Sequence, residues 1–413
     1  MENSVYKQTQ TIFSTITSWT FLAMMLLFPL TSTLKNFTFV FVIFLSIWTL
    51  KTLINKDFLY FEKPNKTNIF LYFQIGLICW MMLSGLWVEN TDLYARHLSI
   101  RIPIFLISIN LLCSAKRTKF NFELGLLLFV IGTFISTLMA FGFAYFESKN
   151  RGWLFVNETL FTLYCEFKHR TFFGMTQLIS IASFFYLKNY LLRFFSKKTY
   201  YVLLGLLTIF FLGAIFISQG RMILIISIIL LTILFLYSFK NFKYRNIFFA
   251  IGVCFLLGGL YSLKNHPRIK QIEFSKEGIM KADPRIEHYI CAYECVKEIN
   301  PFVGVGMGDR IQLFKAKYET TPHTFGIFDS AHNEWIDGLL EYGLIGILLL
   351  LSFFVSLFLG VKKDNEKLLV ANLGIIWLLF IMIEPLYLRS IPVIIFSISI
   401  IIIYLAKIKS LEK

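Results

Sequence analysis

Residues 201–238 read YVLLGLLTIFFLGAIFISQGRMILIISIILLTILFLYS, and Arg221 is the one charged side chain in the stretch. Two apolar runs, each close to the ~20 residues a helix needs to cross a bilayer, meet there at Ser218-Gln219-Gly220-Arg221. They divide into spans at 201–220 and 221–239. Runs of the same kind recur at 13–34, 36–54, 68–87, 97–113, 124–147, 172–191, 247–263, 344–361, 368–388 and 391–408. Together they predict an all-α polytopic membrane protein of about 12 transmembrane helices.

The composition agrees. Of 413 residues, 57% are hydrophobic and 47 are Phe, against about 45–50% apolar in soluble domains. A net charge of +15 raises the question of nucleic acid. The Lys and Arg residues instead fall in short clusters between apolar runs, so membrane lipids are the expected neighbours and nucleic acid is not. The clusters are Lys56-Lys63-Lys66, Lys116-Arg117-Lys119, Arg193-Lys197-Lys198, Lys240-Lys243-Arg245, Lys362-Lys363-Lys367 and Lys407-Lys409-Lys413. With every span counted, all of them lie on one side, and the positive-inside rule makes that side and both termini cytoplasmic. The first run lacks a basic leader and reads as a retained span. Cys79, Cys113 and Cys254 read as buried thiols, and Cys291 and Cys295 stand one helical turn apart, an awkward spacing for a disulfide. No Cys/His spacing suggests zinc.

Three segments fall on the opposite side: a loop around 148–171, the turn at 218–221, and the long connection 264–343. In the long connection Asp283-Pro284 opens a helix, Ile286, Tyr289, Ile290, Tyr293 and Val296 make an apolar stripe, and Asn300-Pro301 ends it. Gly304, Gly306 and Gly308 supply a turn that lets the loop double back. Asp309 caps a second helix through about Glu319, and a third opens near Asp329-Ser330 with His332 and Asn333 in its first turn and Gly343 as a breaker. No βαβ unit surrounds the glycines, which excludes a dinucleotide loop.

Each chemically interesting residue here has a bland alternative. Arg221 at a span rim either faces a partner or snorkels to headgroups. Arg285, in the first turn after Asp283, either joins that helix N-terminus in holding an anion or is a solvated cation. Arg170, beside His169 at a span entrance, resembles it. His332 is either a general base for a hydroxyl or a capping side chain. Asn333, Asp337 and Glu341 share a helix face from which His332 is displaced, which makes Glu341 a partner for a loop cation.

In combination these residues resemble the O-antigen ligase and polymerase superfamily, which shares the Wzy-type C-terminal domain. Ser218-Gln219-Gly220-Arg221 is similar to its Ser-x-Ser-Arg break, with Gly220 in place of the second Ser. Arg285-x3-Tyr289-x2-Ala292, continuing to Pro301-Phe302-Val303-Gly304-Val305-Gly306-Met307-Gly308, resembles its Arg-x3-Trp-x2-Ala and Pro-x-x-Gly-x-Gly-x-Gly stretch, with Tyr289 in place of Trp. His332-Asn333-Glu334-Trp335, followed by Glu341-Tyr342-Gly343-Leu344-Ile345-Gly346, resembles its His-Asn and Glu-x-Gly element. His169-Arg170-Thr171-Phe172 resembles a looser His-Pro-x-Tyr entrance, with Arg170 in place of Pro. The likeness covers about 170–346.

The resemblance implies a GT-C-like bundle in the bacterial inner membrane, with one long helical periplasmic loop carrying the active site. It implies a glycosyltransferase that uses a glycan on undecaprenyl diphosphate as donor. The acceptor is a sugar hydroxyl of lipid A-core in a ligase, or another lipid-linked repeat in a polymerase. His332, Arg221 and Arg285 are then the catalytic residues, and Arg170, His169, Ser218, Asn333 and Glu341 bind substrate. With no acidic pair of the Asp-x-Asp kind on that side, arginines take the place of a divalent ion, and no cofactor is expected. A lipid-linked glycan flippase is the alternative from another class. It explains the span count equally well, but would place its cations at mid-span depth and keep its loops short.

Overall fold

The computed structural model describes residues 2–32, 38–150, 170–218, 221–238, 284–320 and 329–411. Among them the regular structure is helical: α1 (Glu2–Leu27), α2 (Thr38–Ile54), α3 (Ile69–Leu83), α4 (Thr91–Ser114), α5 (Phe122–Asn150), α6 (Arg170–Tyr186), α7 (Lys197–Ile217), α8 (Arg221–Ser238), α9 (Pro284–Val296), α10 (Arg310–Thr320), α11 (Glu334–Leu357), α12 (Asp364–Ile381) and α13 (Ser390–Lys409). Among the described residues, seven helical stretches are long and apolar enough to cross a membrane: Thr9–Leu30, Ile69–Leu86, Thr91–Ser114, Phe122–Asn150, Lys197–Ile217, Glu334–Leu357 and Ser390–Lys409. Phe39–Ile54, Thr171–Tyr186 and Met222–Leu234 are shorter apolar helices. This is the architecture of a polytopic membrane protein; the expected span at 247–263 lies outside the described residues.

Every residue of α13 from Pro392 to Lys407 is buried, as expected of a helix that is apolar on all sides and sits at the centre of the bundle. Its single buried cation is satisfied by carbonyls at the end of α11: the Lys407 amine donates to Ser356 O at 3.2 Å and Leu359 O at 2.9 Å.

The two ends of the bundle differ in charge. At one end Lys51 pairs with Asp57 at 2.5 Å, Arg117 with Asp57 at 3.2 Å and Lys116 with Glu62 at 2.8 Å. Lys362 and Lys363 meet Ser410 and Lys409 at the same end. The other end gathers the α3–α4 connection, α9, α10, the start of α11 and the α12–α13 connection. There Trp80 Nε1 donates to Tyr342 O at 2.8 Å, and the Glu89 and Asn90 amides donate to Asp309 at 2.9 Å each. The carboxylate expected to cap α10 thus ties that helix to the α3–α4 turn.

The connection between α8 and α11 carries a small core of its own, made by Cys291, Ala292, Cys295, Phe314, Tyr318 and Leu340. Tyr318 donates to Glu287 at 3.0 Å, and burial together with that carboxylate pushes its phenol pKa up, so it remains a donor. Cys291 and Cys295 are free thiols. The face of α9 that packs inward is the Glu287-His288-Cys291-Ala292-Cys295 face, and the expected stripe residues Tyr289, Ile290 and Tyr293 are exposed. Small thiol and methyl groups permit the close approach of α10 that the aromatic stripe would prevent.

α11 is broken at Gly343, where φ is +63° and ψ is −169°. Its interrupted backbone ladder is completed from the glycine-rich segment. Val305 N donates to Leu340 O at 2.9 Å and Gly306 N to Glu341 O at 2.8 Å, while Leu344 N and Ile345 N donate to Pro301 O and Phe302 O at 2.8 and 3.2 Å. A Cβ at Gly343 would lie 2.3 Å from Phe302 O, and one at Gly304 would lie 2.7 Å from Leu340 O. Gly304 and Gly343 permit this inlay of extended chain in a broken helix.

Candidate active site

The turn before α11 is wound about Asp337. Ser330 Oγ donates to one carboxylate oxygen at 2.7 Å, the Ala331 amide to the other at 3.0 Å, and the His332 amide to Ser330 Oγ at 2.9 Å. This holds His332 in a left-handed conformation, φ +52°, which a non-glycine residue adopts only where its surroundings enforce it. The helix therefore begins later than expected. Asn333 is its N-cap, accepting from Trp335 N at 2.9 Å and Ile336 N at 3.3 Å, and its amide reaches Met382 O at 3.1 Å.

Among the described residues, two groups from other elements stand against His332. Nδ1 lies 3.5 Å from Oε2 of the buried Glu384, in the α12–α13 connection. The buried His288 ring of α9 stacks on the imidazole, with centroids 5.4 Å apart and planes at 24°. Arg285 lies three residues before His288, hence on the same side of α9, and so at the same end of the bundle.

Beneath this turn is a buried ion network. Arg310 of α10 binds Asp337 at 2.9 Å, Glu341 at 3.3 Å and the Asp329 carbonyl at 2.9 Å. Arg101 of α4 pairs with the other Glu341 oxygen and donates to Tyr387 O at 3.3 Å. Glu334 accepts from Tyr342 at 2.5 Å and from the Leu386 and Tyr387 amides at 2.6 and 3.3 Å. Each carboxylate at the start of α11 thus faces an element that must be fixed relative to His332: α10, α4 or the α12–α13 connection.

α6 and α8 begin near the same place. Gly174 packs so tightly on Ile223 that a Cβ would lie 2.3 Å from its Cγ2. Phe172 lies 5.9 Å from Phe380 at the end of α12, the helix that leads to Glu384. The first turns of the helices opened by Arg170 and Arg221 therefore share the end of the bundle that carries His332. The side chains of Arg170 and Arg221, together with His169, Gln219 and Gly220, lie outside the described residues. Ser218 is turned inward, its hydroxyl donating to Ile215 O at 2.7 Å, and Glu341 is engaged by two arginines within the protein. For these two expected substrate contacts the structure supplies internal partners.

Glu384, Arg101, Arg310 and His288 stand at the site without having been among the residues expected from the sequence. Glu384 carried a signal, being the only charged residue in the apolar run 368–388. Arg101 carried the same one, lying within the run 97–113.

No curated protein matches the chain. Residues 206–351 match a family model described as O-antigen ligase, and the match takes in Ser218, Arg221, Arg285, His332, Asn333 and Glu341. That match, over the region that builds the turn around His332, supports the likeness to the O-antigen ligase and polymerase superfamily.

Proposed function

We propose that the protein is a ligase-type glycosyltransferase, moving a glycan from undecaprenyl diphosphate to a sugar hydroxyl of lipid A-core at the periplasmic face of the inner membrane. The observation that carries this reading is the His332–Glu384 approach at 3.5 Å, with His288, the ring stacked on His332, one helical turn of α9 from Arg285. A carboxylate on the Nδ1 side favours the tautomer with Nδ1–H, leaving the Nε2 lone pair to accept a proton. Nε2 takes the proton of the acceptor hydroxyl as its oxygen bonds to the anomeric carbon from the face opposite the leaving group. The bond to the diphosphate oxygen breaks, and the diphosphate departs with the electron pair. Arg221 and Arg285 receive the charge developing on it, and their forked donors suit phosphate oxygens. The arginines do the work of a divalent cation, so chelator leaves transfer intact. Twelve spans with both termini cytoplasmic complete the reading, supported by the gathering of basic residues at the end opposite His332.

The test is the lipopolysaccharide ladder of a strain lacking the protein. Loss of all O-chain bands with accumulation of lipid-linked polymer is the expected result. Core bearing a single repeat unit would make the protein a polymerase, and absence of periplasmic lipid-linked glycan would make it a flippase.

A further inference from the structure

We infer that the end of the bundle opposite His332 carries a binding site for the phosphate of an anionic phospholipid. A cavity of about 680 Å³ opens there between α1 and the segments that follow α2 and α4. Its charged wall consists of Lys51, Arg117 and Lys119, with Asp57 as the single carboxylate; Ser14 of α1 lines the facing side. Asp57 orders this wall, since it binds the buried Lys51 at 2.5 Å and Arg117 at 3.2 Å. The Arg117 guanidinium is further fixed 3.4 Å over the Tyr60 ring. One carboxylate cannot neutralise three cations, so the cavity retains an excess of positive charge on prearranged donors, which suits phosphate oxygens.

One further feature distinguishes a lipid from a soluble anion. The outer edge of the cavity is apolar: Trp19 lines it, and Ile12, Ile16 and Leu59 beside it are exposed. An indole at the boundary between an apolar surface and a basic wall is the usual interfacial anchor, and the apolar edge gives acyl chains a continuous path from the bilayer. The site requires only that this end face a leaflet with anionic lipid, and it is independent of the transfer reaction.

The full chain in detergent, titrated with phosphatidylglycerol or phosphatidylcholine and examined by native mass spectrometry, tests the inference. Phosphatidylglycerol should be retained in preference. Lys119→Gln, which removes one cation, should lower its retention about fivefold. Thr15→Phe, which fills the cavity and leaves every charge in place, should do the same, with melting temperatures of both variants unchanged. Equal retention of the two lipids, or undiminished retention in Thr15→Phe, overturns the proposal. Displacement of the lipid by millimolar inorganic phosphate overturns it too, and makes the cavity a site for a soluble anion.

Discussion

Nδ1 of His332 and Oε2 of Glu384 stand 3.5 Å apart although 52 residues separate them in the chain. They meet because α11 and α12 run antiparallel and because Asn333, the cap of α11, holds the Met382 carbonyl at 3.1 Å. The carboxylate is buried and the imidazole half-buried, so the pair favours the tautomer protonated on Nδ1.

The pair separates catalysis from capping. His332→Ala and His332→Asn should both lower transfer from a lipid-linked donor on the order of 10²–10⁴-fold, because neither can accept a proton. A merely structural His332 predicts recovery with Asn, a good residue near helix starts. Glu384→Gln should lower the catalytic rate by a smaller factor than loss of His332, with donor binding retained.

Arg221→Ala and Arg285→Ala should each reduce transfer on the order of 10²–10³-fold while the protein still inserts and accumulates. Lysine at 221 should rescue poorly, since a point charge does not reproduce a bidentate grip. Near-normal transfer in both alanine variants would assign these arginines to headgroup contacts.

Glu341→Ala should lower the melting temperature in detergent sharply. Removing the carboxylate leaves the buried Arg101 without its ion partner, while Arg310 keeps Asp337, and orphaning a buried charge costs about 3–5 kcal/mol. Adding Arg101→Met to Glu341→Ala should restore part of the loss, as the double change removes the orphaned charge. Additive losses would mean that the two residues do not interact.

Gly343→Ala combines a left-handed backbone with a Cβ driven into the Phe302 carbonyl, so it should destabilise the protein by more than about 1–3 kcal/mol. Gly142→Ala, where a Cβ meets open space, is the control and should be neutral to slightly stabilising. Thermal unfolding of the purified variants measures both.

The periodicity of apolar runs made the described membrane helices legible, since a bilayer imposes one length and one polarity on each. The helices of the long connection were legible from Asp283-Pro284, Asn300-Pro301 and the glycines. The register of His332 was not. Asp329 and Ser330 look like helix caps in isolation, yet Ser330 is drawn away by Asp337, seven residues on, and the cap passes to Asn333. The inward face of α9 was misjudged for a related reason. Hydrophobicity favoured Tyr289 and Tyr293, whereas close packing on α10 favoured Cys291, Ala292 and Cys295. The acids at Asp337 and Glu341 announced a need for cations, but which arginines would answer depended on contacts 27 to 240 residues away.

The inlay at Gly343 has a consequence for biogenesis. Until residues 301–306 are seated, the carbonyls of Leu340 and Glu341 and the amides of Leu344 and Ile345 have no partners, and a helix with such a gap is a poor passenger for a lipid environment. Synthesis proceeds so that the glycine segment leaves the ribosome before the helix it completes. Assembly of Glu334–Leu357 is thereby coupled to the seating of a segment that precedes it in the chain, and a delay in that seating would leave the helix with its backbone unpaired.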